Sequence, residues 1–388
     1  MLIPRFLTEH LKEVAQYFPV VSLTGPRQAG KTTLLRFLFP EYEYVSLETP
    51  DVRAFAEQDP KSFLTRYAGK VILDEVQRVP DLFSYLQTVV DRDNQPGQFI
   101  LSGSQNFLLH KRITQSLAGR VGILRLFPFT YQELAAAMIE RQSMEETLYK
   151  GFYPRLFDRK IPPIIFYPNY IETYLQRDIQ DLINPGNLSL FHRFLKLCAG
   201  HIGQLINYSQ LANSLGVQVS TVKNWLSILE QSYTVFQLFP YHNNFNKRVI
   251  KSPKLYFYDT GLACNLLGMQ KQEKLASYYQ KGALFENLVI AELVKQTHSQ
   301  GKRPHFYFWR DSNGNEINLI QESLQGLQVL EIKATRTLQQ KHFKTISKFQ
   351  SFLQGQNARF YLVHGSDESP YIRQENIQVL SWRDLDGF

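Results

Sequence analysis

The chain has 388 residues, of which 44% are hydrophobic and 13% aromatic, and a net charge of +8. That apolar share excludes an intrinsically disordered chain, and the length predicts roughly two to three domains of about 100–200 residues each. Cys198 and Cys264 show no disulfide or metal spacing, no run approaches the ~20 apolar residues of a membrane span, and residues 1–18 lack a signal-peptide core.

A cytoplasmic protein that makes no membrane contact is therefore expected. The charge is uneven. Residues 1–240 hold 24 Lys+Arg and 22 Asp+Glu, and residues 241–388 hold 19 and 13. The basic C-terminal part favours an anionic partner such as DNA, with ordinary solubilising charge as the alternative.

Leu7, Leu11, Val14, Ala15 and Phe18 predict an amphipathic helix ahead of a short buried strand formed by Val20, Val21 and Leu23. The strand meets Gly25-Pro26-Arg27-Gln28-Ala29-Gly30-Lys31-Thr32, an eight-position phosphate loop, and Thr33 opens a helix expected over 33–39. Gly25 and Gly30 permit a tight backbone whose N–H groups converge on a polyphosphate, and the helix N-terminus adds its positive dipole end. Lys31 can reach the β- and γ-phosphates, and the Thr32 hydroxyl can ligate Mg²⁺.

A second strand is predicted over 44–47 and a helix over 51–67. Val71-Ile72-Leu73-Asp74-Glu75 is an apolar strand ending in two carboxylates. Ligands gather at the C-terminal end of such parallel strands, so Asp74 can hold Mg²⁺ and Glu75 can polarise an attacking water. The strand over 98–102 leads to Gly103-Ser104. Ser104 is favoured over Ser102 as a γ-phosphate sensor, with a helix N-cap as the alternative. A helix over 106–117 leads to Arg120 and a last strand over 121–126. Arg120 is either a finger serving the next subunit or a cation at a helix C-terminus.

GPRQAGKTT, VILDEVQ, FILSGSQN, SLAGR and LFPFTYQEL, in that order over residues 1–140, resemble a family of prokaryotic AAA+ ATPases related to the STAND-type P-loop proteins. The resemblance implies an α/β P-loop ATPase domain over 1–140 with a parallel sheet, which binds ATP and Mg²⁺ and hydrolyses ATP. It also allows assembly into a homo-oligomeric ring. Residues 141–187 read as a linker and helical lid, with a helix over 168–182. There the resemblance puts Arg177 near the nucleotide, while a solvated helix face is the alternative for Arg177 and Asp178.

Residues 188–258 read as a winged helix. A helix over 208–215, a turn at Gly216-Val217-Gln218 and a helix over 221–230 capped by Ser220 would present Ser220, Thr221, Lys223 and Asn224 to a DNA groove. Strands over 234–238 and 255–257 flank a polar tip with Lys247 and Arg248. DNA contact and docking of a protein both stay open, because Lys223 is the one cation of the second helix.

Over 259–388, a helix carrying Glu286, strands over 305–309, 316–320 and 327–332, and Glu331-Ile332-Lys333 resemble the PD-(D/E)xK nuclease core. The resemblance implies a restriction-nuclease-like α/β domain in which an Asp and a Glu-x-Lys hold Mg²⁺. Strand alternation puts Glu331 and Lys333 on one face. Asn318 stands at the Asp position, and a neutral amide is a poorer ligand for a hard dication. Glu316 lies on the same face, about 6.8 Å along the strand. A vestigial site of Glu286, Asn318, Glu331 and Lys333 without nuclease activity is expected. Two functions follow: ATP hydrolysis that acts on DNA, or an ATP-gated switch binding a protein partner in stress or defence signalling.

Overall fold

The computed structural model describes residues 3–103, 116–139, 142–174, 183, 185–241, 252–323, 325–353, 356–368, 373–374 and 376–385. In the N-terminal part, β1 (Val20–Thr24), β2 (Glu43–Ser46), β3 (Val71–Asp74), β4 (Phe99–Gly103) and β5 (Val121–Arg125) form a parallel sheet in the order β2-β3-β4-β1-β5. β1, β3 and β4 are buried along their whole length, as strands covered on both faces must be. One face is covered by the helices Leu7–Tyr17 and Lys31–Leu38 through Leu7, Leu11, Leu34 and Leu35, which join Val21 and Leu23 in a shared core. The other face packs Phe63, Leu82, Phe83 and Leu86 against Leu73 and Leu101.

The helix expected over 51–67 is two helices, Pro50–Gln58 and Pro60–Arg66. Proline suits a first helical turn, and the Asp59 carboxylate caps the second by accepting from the Ser62 N–H at 3.0 Å. The lid helix begins earlier than expected. It runs Pro163–Tyr174 with Pro168 inside it, because Phe166, Tyr167, Tyr170 and Ile171 all enter the large core and outweigh the backbone bond that proline forfeits. Ser220 is no cap either: the second helix of the helix-turn-helix runs Val219–Gln231, and Gln218 takes the cap position.

The C-terminal strands are β6 (Val235–Pro240), β7 (Lys254–Phe257), β8 (Phe306–Arg310), β9 (Glu316–Ser323), β10 (Gly326–Lys333), β11 (Ala358–His364), β12 (Arg373–Gln374) and β13 (Ile377–Ser381). They form an eight-stranded mixed sheet in the order β12-β13-β11-β10-β9-β8-β6-β7. The hairpin β6/β7, expected as a wing, continues this sheet: β6 runs parallel to β8 through Phe239↔Tyr307 and Pro240↔Phe308. Stretches 188–258 and 259–388 thus share one sheet. The long helix Lys281–Ser299 and the helix-turn-helix pack on one side of it, and the helix Lys344–Phe352 packs through Phe349 on Trp309 on the other.

Candidate functional site

The phosphate loop closes between β1 and the helix Lys31–Leu38. Gly25 has φ +151°, and a Cβ there would lie 2.0 Å from the Leu126 carbonyl oxygen, so only glycine fits. Gly30 has φ +95°, with nothing closer than 3.8 Å to a built Cβ. Pro26 and Ala29 are buried, Arg27 and Gln28 are half-buried, and Thr33 is exposed at the helix start. Lys31 is buried and its Nζ donates to the carbonyls of Gly25 and Pro26 at 2.8 and 2.9 Å, above the centre of the loop.

The acidic strand meets the loop as its spacing predicts. The Thr32 hydroxyl donates to Asp74 Oδ2 at 2.9 Å, and the Glu75 N–H donates to Asp74 Oδ1 at 3.1 Å. Glu75 sits just past β3 with φ +53°, in the left-handed region. The Gln77 side-chain amide holds Glu75 Oε2. Ser102 lies opposite Asp74 on β4, fully buried, and its hydroxyl makes no hydrogen bond among the described residues. Ser104, Arg177, Asp178, Lys247 and Arg248 lie outside the described residues.

Three partners of the site escaped the sequence reading. Tyr44 Oη donates to Asp74 Oδ2 at 2.6 Å; burial and that carboxylate raise the phenol's pKa well above its usual value. Arg5 donates through Nη1 to the Ala29 carbonyl at 2.9 Å and through Nε to Glu133 Oε1 at 3.1 Å, and so braces the loop from the N-terminal segment. Thr24, the residue before Gly25, shares a 2.7 Å hydrogen bond with Tyr233 Oη, which follows the helix Val219–Gln231. Thr130 and Glu133 form a capping box, which TYQE signals locally. A charged residue inside the apolar IPRFL is the one sequence hint at Arg5.

A cavity of about 800 Å³, lined by Ile3, Pro4, Phe6, Leu34, Phe129 and Pro154 among others, opens beside Gly30 and Thr33. The buried Lys31 ammonium, the Thr32–Asp74 hydroxyl–carboxylate pair and the adjacent apolar cavity fit a nucleoside triphosphate, and Thr32 and Asp74 could hold its Mg²⁺. Arg120 is held within its own chain, with Nη2 donating to Asp91 Oδ2 at 2.9 Å and Nη1 to the Ala118 carbonyl at 3.0 Å.

In the helix-turn-helix, Ser220, Lys223 and Asn224 are exposed and Thr221 is half-buried; Lys223 Nζ stands 5.5 Å from the Tyr208 ring centroid. In the C-terminal sheet Glu331 and Lys333 share a face, joined at 2.6 Å. Burial pushes the Glu331 carboxyl up to about 7 against the pull of Lys333, and its Oε2 makes no hydrogen bond among the described residues. Asn318 Oδ1 accepts the Ile332 N–H at 2.8 Å and so ties β9 to β10. Glu286 and Glu316 both meet Lys254. Burial works to lower the Lys254 pKa, but Glu286 and then Glu316 raise it on balance.

Residues 17–135 match the AAA domain family, and residues 141–273 and 281–385 each match a domain of unknown function. Uncharacterized proteins of Mycobacterium tuberculosis and Mycobacterium bovis are each 33% identical to this chain over 330 residues, covering 84% of the chain and 73% of the relative. Among solved structures, the Walker-type ATPase of Pyrococcus abyssi is similar over 67% of this chain and 94% of its own, at 14% identity and a TM-score of 0.40, a likeness too low to bear on function. No helix among the described residues is long and apolar enough to cross a membrane.

Proposed function

Since the chain belongs to the family of these mycobacterial relatives and carries the AAA domain of the P-loop ATPases, we propose that it hydrolyses ATP to act on DNA gripped by its C-terminal half. The hydrolytic part rests on one observation above all, the 2.9 Å bond from Thr32 to Asp74 that unites the phosphate loop with the acidic strand. The loop amides and Lys31 would bind and orient the polyphosphate, and Thr32 and Asp74 would hold its Mg²⁺. Bound Mg²⁺ supplies the positive charge that neutralises the phosphate oxygens. Glu75, aimed by Gln77, accepts the proton of the attacking water.

The DNA part is supported by the exposed Ser220, Lys223 and Asn224 on the helix Val219–Gln231, and by the excess of 19 Lys+Arg over 13 Asp+Glu in residues 241–388. A second reading, an ATP-gated switch that docks a protein, is favoured by that same helix. It carries one cation, Lys223, balanced by one acid, Glu230.

Steady-state ATP turnover measured with and without duplex DNA at rising salt separates the two. Action on DNA predicts stimulated turnover and a binding constant that falls with salt at a slope of about −0.9 per phosphate neutralised. Replacing Lys223, Lys247 and Arg248 together should flatten the slope. No binding at low salt would leave the switch.

A further inference from the structure

The acidic cluster of the C-terminal sheet already contains a cation. Lys254 enters it from β7, with 3% of its side chain exposed, and its Nζ bonds Glu286 Oε1 on the helix Lys281–Ser299 at 3.1 Å and Glu316 on β9. Two residues along the same strand, the Tyr256 hydroxyl donates to Glu286 Oε1 at 2.5 Å. Arg310 Nη1 stands 3.8 Å from Glu316 Oε2, and Lys333 Nζ stands 2.6 Å from Glu331 Oε1. Each of the three carboxylates is thus matched with a cation, and Asn318 Oδ1 is spent on the Ile332 N–H. A dication entering between Glu286 and Glu316 would have to displace a buried ammonium and leave it unpaired, which electrostatics opposes. No three His, Cys, Asp or Glu side chains gather as a metal site among the described residues.

We propose that the Lys254 ammonium is the permanent cation of this cluster, standing where a divalent metal would bind and tying the β6/β7 hairpin to the helix Lys281–Ser299 and to β9. The cluster is then a metal-independent joint that pins the β7 edge of the C-terminal sheet to β9 and to the helix packed on it. This holds whether or not the chain acts on DNA.

The test uses the full chain without nucleotide, with Mn²⁺ as the probe, read by thermal denaturation and by the paramagnetic resonance of free Mn²⁺. Any Mn²⁺-dependent shift of the wild-type Tm relative to EDTA should be matched by Glu286→Gln, so that none of it comes from this cluster. Lys254→Met should lower Tm, and adding Glu316→Gln should recover part of that loss, because one of the two carboxylates left facing each other has then been neutralised. Mn²⁺ should raise the Tm of Lys254→Met more than that of the double variant. Wild-type Mn²⁺ binding that vanishes in Glu286→Gln would overturn the proposal, as would a Lys254→Met Tm equal to wild type in EDTA. Should Lys254→Met fail to fold, the double variant decides: restored folding supports the joint, and none rejects it.

Discussion

At the scale of single residues, the phosphate loop separates two kinds of demand on glycine. Gly25 faces backbone at 2.0 Å, which cannot yield, whereas Gly30 needs only its positive φ. Gly30→Ala should therefore cost about 1–2 kcal/mol of left-handed strain, and Gly25→Ala clearly more, in urea unfolding midpoints. The charged residues divide by role in the same way. Lys31→Ala should weaken ATP binding, since its Nζ is held against the Gly25 and Pro26 carbonyls of the phosphate loop. Glu75→Gln should keep binding and lose about a hundredfold or more in turnover, the usual share of a general base. A Glu75→Gln protein that turns over ATP at the wild-type rate would remove Glu75 from the mechanism.

The long helix Lys281–Ser299 is more buried than an amphipathic surface helix, and His298 near its end shows a consequence. The ring lies 5.1 Å from Phe127; burial, with Arg125 and Arg303 adding to it, lowers its pKa from the usual 6.5 to about 3. Below the unfolded pKa the unfolded chain takes up a proton that the folded chain refuses, so stability falls as pH drops from 6.5 towards about 3. The slope from this one group is at most about 1.4 kcal/mol per pH unit. His298→Phe keeps an aromatic ring beside Phe127 and should flatten that part of the profile. Urea midpoints at neutral pH and about pH 5 measure it.

For the molecule as a whole, assembly through Arg120 can be tested by mixing variants. Arg120 stands just before edge strand β5, at the end of the parallel sheet opposite its own phosphate loop; its carbonyl accepts the Val20 N–H and its side chain pairs with Asp91 of its own chain. If it swings to the phosphate of a neighbouring copy, Arg120→Ala should lower turnover with ATP affinity nearly unchanged. Mixing Arg120→Ala with Glu75→Gln should then restore some activity, because one interface of the mixture has both an intact finger and an intact acid. Turnover that stays at zero in proven mixed assemblies would confine Arg120 to its helix-end pairing with Asp91.

What the sequence by itself determined lies in contiguous stretches. The loop from Gly25 to Thr33, the acidic end of β3 and the helix-turn-helix from Tyr208 to Gln231 are legible because their chemistry depends on residues at fixed short spacing. The tertiary structure alone decided the rest. Arg5 reaches Ala29 and Glu133, Tyr44 reaches Asp74 across a strand pairing, and Lys254 reaches Glu316 from 62 residues away. The parallel pairing of β6 with β8, which merges the hairpin into the C-terminal sheet, is of the same kind. Such contacts leave no periodicity in the chain, because which distant polar groups meet is set by how the layers pack and not by any local preference of the backbone.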